Sequence, residues 1–136
     1  MESQNNSDFY DWKIALKDTN EPIGSIGVVR LREDIEEVEI GYCLGYKWWH
    51  MGIMTEAFTA VIEYMFEKVG VNRIMAKHDP NNRHSGDVMK KCGLSYEGTL
   101  RQGGKNLQGI CDIAIYAILK EDYYKKKATE IPVKSV

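Results

Sequence analysis

The residues best suited to chemistry lie in one stretch, residues 38–58, VEIGYCLGYKWWHMGIMTEAF. An apolar, β-prone run (Val38, Ile40, Tyr42, Leu44) passes Gly45 and an aromatic turn, Trp48-Trp49-His50, and meets Gly52. From Met54 the apolar positions Ala57, Phe58, Val61, Ile62, Met65, Phe66 and Val69 form one stripe on a 3.6-residue helix. A buried strand that turns through a glycine into a helix leaves unpaired N–H groups at the helix start. With the positive end of the helix dipole, those donors suit an anion, typically a phosphate. Relief of a crowded turn is the other reason for a glycine at 52, and spacing alone does not separate the two. Upstream, Glu37 and Glu39 alternate with Val38 and Ile40, which puts both carboxylates on one side of the strand. Downstream, Asp79-Pro80-Asn81-Asn82 is a turn that can cap a second helix through an asparagine side chain.

Composition narrows the function classes. A chain of 136 residues without a composition break reads as one domain, and 43% apolar residues can supply its core. A formal charge of -2 argues against a nucleic-acid surface, which needs a basic patch. No apolar run reaches bilayer length, and no secretory signal pattern opens the chain, so no membrane role is expected. Cys43, Cys92 and Cys111 are scattered and odd in number, which suits a reduced, cytoplasmic protein. His50, His78 and His84 lack ligand spacing, and no metal is assigned.

The remaining elements follow from pattern and punctuation. Residues 1–8 are polar and expected to be frayed. Residues 10–16 and 23–32 read as strands around a turn at 17–22, and an acidic turn at 33–36 leads into the central strand, giving an antiparallel meander. Gly70 suits the end of the long helix, and residues 72–77 read as the next strand. A second helix spans about residues 83–92, with Gly86 as an oddity inside it. Strands at 95–102 and 110–119 are expected around a Gly-Gly-Lys-Asn turn. The tail from Glu121, with Lys125, Lys126 and Lys127, reads as a solvated helix end. This order of elements describes an α+β, mixed α/β domain with a sheet flanked by helices.

Residues 23–116 also resemble the core of a GNAT N-acetyltransferase, in the ribosomal-protein-acetylating (RimJ/RimL) branch. Residues 40–58 are similar to that branch's strand, pyrophosphate loop and helix, written IGYWL and W-x-x-G-x-x-T-E. Asn82-Arg83-His84-Ser85 matches N-x-x-S, and Lys91-Cys92-Gly93-Leu94 follows at the usual distance. Tyr96-Glu97-Gly98-Thr99-Leu100-Arg101 resembles the Y-E-G-x-L-R strand after it. Three motifs in the right order on the right elements make a specific match.

The resemblance implies transfer of an acetyl group from acetyl-CoA to an amine, either a protein N-terminus or a small molecule. It implies a mostly antiparallel sheet that splays after Ile40-Gly41. The pantetheine arm would then pair like a strand with the backbone near Tyr42, Cys43 and Leu44. The CoA pyrophosphate would rest on Trp49, His50, Met51, Gly52, Ile53, Met54 and Thr55, and Asn82 would bond the pantetheine arm, cap its helix, or do both. Glu39 is the implied base for the amine proton, against a plain role on a polar sheet face. Ser85 is the implied partner of the leaving sulfur, against a plain role at a helix start; Met89 replaces the tyrosine that many relatives use there. Glu97, Asp112 and Tyr116 are reserves.

Three departures qualify this reading. Met54 stands where the loop often has a small residue and either narrows the site or turns into the core. Gly103-Gly104 replace a glutamate that relatives can carry in that turn. The family's first strand and helical pair, which roof the acceptor site, have no counterpart in the sequence given, and an uncovered sheet would favour a homodimer. The competing function is therefore a CoA-binding or oligomerisation module with weak or no catalysis.

Overall fold

The computed structural model of the protein describes residues 10–135, with side chains as far as residue 129. The frayed segment expected at residues 1–8 lies outside the described residues. Strands β1 (Asp11–Ala15), β2 (Pro22–Arg32) and β3 (Glu37–Leu44) form the expected meander. Helix α1 (Ile53–Tyr64), strand β4 (Arg73–His78) and helix α2 (Arg83–Lys91) follow. A long hairpin, β5 (Ser95–Asn106) and β6 (Gly109–Leu119), then leads into α3 (Lys120–Ser135). The six strands form one sheet in the order β1-β2-β3-β4-β6-β5, and only the β3–β4 pair is parallel. The mixed, mostly antiparallel architecture is the one the sequence implies.

Period-two alternation decides which face is covered. Val38, Ile40 and Leu44 on β3 and Ile74 and Ala76 on β4 are buried with Met54, Phe58, Val61 and Ile62 of α1. Phe58 is fully buried, and truncation of such a ring typically costs about 3–5 kcal/mol. The opposite face carries Glu37, Glu39, Arg73 and Lys77, joined by ion pairs. The helix stripe holds with one correction. Residues 65–69 wind as a π-turn, in which Gly70 and Val71 N–H both donate to the Met65 carbonyl at 2.8 and 3.1 Å. The wider turn keeps Met65 and Phe66 inside and leaves Val69 38% exposed.

One further expectation shifts. The hairpin turn is at Leu107 and Gln108, because β5 runs on through Gly103-Gly104-Lys105-Asn106. Asn106 makes the turn: its Oδ1 accepts from the Gln108 N–H at 2.7 Å. The glycines instead lie in a bulge, where the register runs from Leu100↔Ile113 to Gly104↔Cys111. The lysine-rich tail is helical, as expected, and Lys127 ties it to Glu67 in the π-turn after α1.

Gly86 is explained by packing. A Cβ there would lie 2.6 Å from His78 Cε1 on β4, so α2 approaches the strand as closely as it does only because the side chain is absent. Helix propensity alone would make Gly86→Ala stabilising by about 1 kcal/mol. We expect the opposite, a loss of about 1–2 kcal/mol in chemical denaturation, because the overpacking term is larger. The double variant Gly86→Ala/His78→Ala should recover part of that loss.

Candidate active site at a gap in the sheet

The parallel β3–β4 pairing lasts three residues, Glu37↔Arg73, Val38↔Ile74 and Glu39↔Met75. Beyond Glu39 the strands part. Strand β3 stays with β2 as far as Leu44, while β4 stays with β6 as far as His78. Each diverging strand therefore turns one unpaired main-chain edge toward the other. The parting comes after Glu39, two residues before the Ile40-Gly41 splay point that the resemblance implies.

On the helix-bearing side, the gap meets the start of α1. Gly52 has φ 78°, and nothing lies within 4 Å of a Cβ built on it. Its role is the left-handed turn, not relief of crowding. The first intrahelical bond runs from Glu56 N to Gly52 O at 3.0 Å, so the N–H groups of Ile53, Met54 and Thr55 precede the ladder. Gly52 makes no side-chain cap. A shallow hollow of about 60 Å³ at this turn is lined by Leu44, His50, Gly52, Thr55, His84 and Lys91. Met54 turns into the core, where it is 1% exposed, and does not narrow the loop. Met51 points the other way, 63% exposed.

An aromatic stack joins the loop to α2. Trp49 lies parallel to His84 at 4.7 Å between centroids, and His50 meets His84 edge-on at 5.0 Å. Trp49 Nε1 donates to the Leu44 carbonyl at 2.9 Å, so that acceptor is already engaged by the protein. Burial first, and the neighbouring His50 second, hold the His84 imidazole below its usual pKa. A larger groove of about 630 Å³ opens beside this stack, with Asn82 and Arg83 on its wall. Asn82 caps α2 by accepting from Ser85 N–H at 3.3 Å.

Ser85 stands across the gap from β3 and is bonded to it twice. Tyr42 O–H donates to the Ser85 carbonyl at 2.8 Å, and Ser85 Oγ–H donates to the Tyr42 phenol oxygen at 3.0 Å. Cys43, next along β3, is exposed and alternates to the opposite face. Glu39 also lies on that opposite face, 3.6 Å from Lys77 Nζ, with its side chain 15% exposed. The reserve candidates have other partners. Glu97 makes a two-point ion pair with Arg73 at 2.7 and 2.9 Å, Asp112 accepts from Gln102 N–H at 2.8 Å, and Tyr116 is packed in the core. Among the described residues, no group of three His, Cys, Asp or Glu could hold a metal ion. None of the described helices is long and apolar enough to cross a membrane.

Comparison with known proteins gives the family. The family described as "Acetyltransferase (GNAT) domain" matches residues 1–95. The chain belongs to the GNAT acetyltransferase family. Among its relatives, the uncharacterized N-acetyltransferase p20 of Bacillus licheniformis is 33% identical over 82% of this chain and 63% of its own length. The ribosomal protein uS5 alanine N-acetyltransferase of Escherichia coli is 44% identical over 43% of this chain and 30% of its own. The solved structure of the microcin C7 self-immunity acetyltransferase MccE, in complex with acetyl-CoA and AMP, shares the fold at a TM-score of 0.73, with 22% identity over 85% of this chain and 64% of that one. The chain thus spans just under two thirds of the length of p20.

Within this GNAT domain the sequence reading did not single out Tyr42 as a partner of Ser85, nor Lys77, His84 or Arg73. The alternation of Arg73, Met75 and Lys77 with buried Ile74 and Ala76 was available as a signal for the second and last. The Tyr42–Ser85 contact joins residues 43 apart and has no local signature.

Arg73 closes the root of the gap. Its Nε meets buried Glu37 at 2.5 Å while the guanidinium grips Glu97, and hydrogen bonding to Glu97 chiefly raises its own pKa. Arg73→Met should destabilise the fold by about 3 kcal/mol at neutral pH, since Glu37 is left buried without a partner. Glu97 is held below the usual carboxylate range by Arg73, so the native state binds fewer protons there than the unfolded chain. That contribution is present above the usual carboxylate pKa and is lost as pH falls through the lowered one. Urea unfolding at pH ~7 and pH ~3 should therefore show a smaller acid-dependent loss in Arg73→Met than in the parent.

Proposed function

We propose that the protein is an acetyl-CoA-dependent N-acetyltransferase of the ribosomal-protein-acetylating (RimJ/RimL) type, with a primary amine as acceptor. The observation that carries this reading is the parting of β3 and β4 after Glu39, which leaves two main-chain edges open between a helix start and a carboxylate. The pantetheine arm enters the gap as an added strand beside Tyr42 and Cys43. Its pyrophosphate rests on the N–H groups of Ile53, Met54 and Thr55, in a hollow that Lys91 and Asp87 also line. Family membership and the acetyl-CoA bound in MccE support the donor. The alanine N-acetyltransferase relative supports a protein N-terminus as acceptor, and a small amine is the other choice.

The two faces divide the chemistry. The acceptor nitrogen attacks the thioester carbonyl from the Glu39 face; the C–N bond forms and the C–S bond breaks. The amine proton passes to Glu39, directly or through one water, and then to solvent. The sulfur leaves as a thiolate that Ser85 O–H stabilises by hydrogen bonding from the helix face. Three free cysteines suit a cytoplasmic setting. Exposed Val29, lying over Gly41, and exposed Leu100 support homodimer formation through the uncovered face.

Calorimetric titration with acetyl-CoA beside desulfo-CoA tests the donor site. Gly52→Asp should weaken binding at least about tenfold, because it adds a negative charge and a Cβ at a positive φ. Glu39→Gln should lower kcat about 10²-fold or more with the acetyl-CoA affinity retained. Unchanged affinity in the first variant removes the loop from the site. No saturable binding by the folded parent chain removes the enzyme reading.

A further inference from the structure

The acetyl-transfer reading gives Ser85 a task but does not say what aims its hydroxyl. Serine has one rotatable O–H on a short side chain, and at the first turn of an exposed helix it has several rotamers to choose from. Here the choice is fixed by a ring of two hydrogen bonds to Tyr42. Tyr42 has a single proton, and it goes to the Ser85 carbonyl, which cannot donate in return. The 3.0 Å contact between the two hydroxyls must therefore be donated by Ser85. The proton that Ser85 would offer to sulfur is thus held, in the resting protein, on the phenol oxygen of β3.

Tyr42 is itself firmly placed. Its ring packs on Phe58 of α1 at 5.4 Å between centroids, and Phe58 is fully buried. The phenol therefore moves with the core rather than with the loop. Burial raises its pKa well above the usual tyrosine value, and the hydrogen bond from Ser85, which pulls the other way, does not offset it. A phenol that resists ionisation is a poor proton source and a dependable neutral acceptor.

We propose that Tyr42 is a positioning residue for Ser85, its phenol oxygen holding the serine hydroxyl at the mouth of the gap until a better acceptor, the departing thiolate sulfur, replaces it. This inference rests on the acetyl-transfer reading of the same gap. No covalent change occurs at Tyr42. The Ser85 O–H turns from the phenol oxygen to the sulfur as the C–S bond breaks, and turns back when CoA takes a proton from solvent and leaves. The second bond, from Tyr42 to the Ser85 carbonyl, persists throughout and keeps α2 at its distance from β3.

A double-mutant cycle of Tyr42→Phe and Ser85→Ala tests this, with thermal unfolding of each variant as a control on folding. Tyr42→Phe removes both bonds of the ring; it should lower kcat about three- to tenfold, the range of the one neutral bond that aims the hydroxyl, with little change in the KM for acetyl-CoA. In the Ser85→Ala background the same substitution still removes the bond to the residue-85 carbonyl but should have almost no further effect on kcat, because there is no hydroxyl left to aim. A readout independent of turnover is the thiol pKa of bound CoA, followed by thiolate absorbance against a desulfo-CoA blank. It should rise in both single variants and rise no further in the double variant. An equal loss from Tyr42→Phe in both backgrounds, a change in KM alone, or an unchanged thiol pKa would overturn the positioning role. Ser85→Ala with parental turnover and parental thiol pKa would instead overturn the assignment of Ser85, and this inference with it.

Discussion

The structure depends on a parallel strand pairing only three residues long. Parallel ladders are somewhat weaker per residue than antiparallel ones, and this one must hold two halves of a six-stranded sheet together. It is reinforced at both ends by other means. At its start, Asn72 and Arg73 N–H both donate to the Glu36 carbonyl, and the Arg73 guanidinium draws Glu37 and Glu97 together. At its far end, Lys77 reaches back to Glu39 from two residues beyond the last pair, and on the opposite face the Tyr42–Ser85 ring spans the divergence. The strands are therefore free to part without the halves separating. Each half also keeps its own antiparallel partner, so the open edges are still backed by complete ladders.

Much of this was legible in the sequence because it is local. The helix stripe from Met54, the strand-to-helix turn at Gly52 and the Asn82 cap each have a signature within a few residues, and each is found where its signature stands. The sites of disagreement have non-local causes. The hairpin turn slid past Gly103-Gly104 because Asp112 on the partner strand captures the Gln102 N–H and pins a bulge there. Gly86 made no sense as a helix residue until His78 of β4 was seen beneath it. The partners of Glu39 and Ser85 come from β4 and β3, and only the fold reveals them. Family resemblance supplied the candidate site residues, but not the hydrogen bonds that orient them.

The aromatic stack between the loop and α2 has a similar standing. Trp49 lies flat on His84 and anchors itself to the Leu44 carbonyl. The stack couples the helix start at Gly52 to the helix that carries Ser85. Displacing either helix would disturb both, so the two ends of the gap proposed to hold the pyrophosphate and the sulfur are mechanically one unit.

The division of Glu39 and Ser85 between opposite faces of one sheet has a consequence for traffic. In the proposed reaction the two substrates approach from opposite sides and meet only at the opening between the strands. Neither lies across the other's exit, so the acetylated amine can depart while the spent carrier is still seated. Such an arrangement suits kinetics in which both substrates are bound before the first product is released, with no acetylated form of the protein along the way. The sheet acts as a partition with a single aperture.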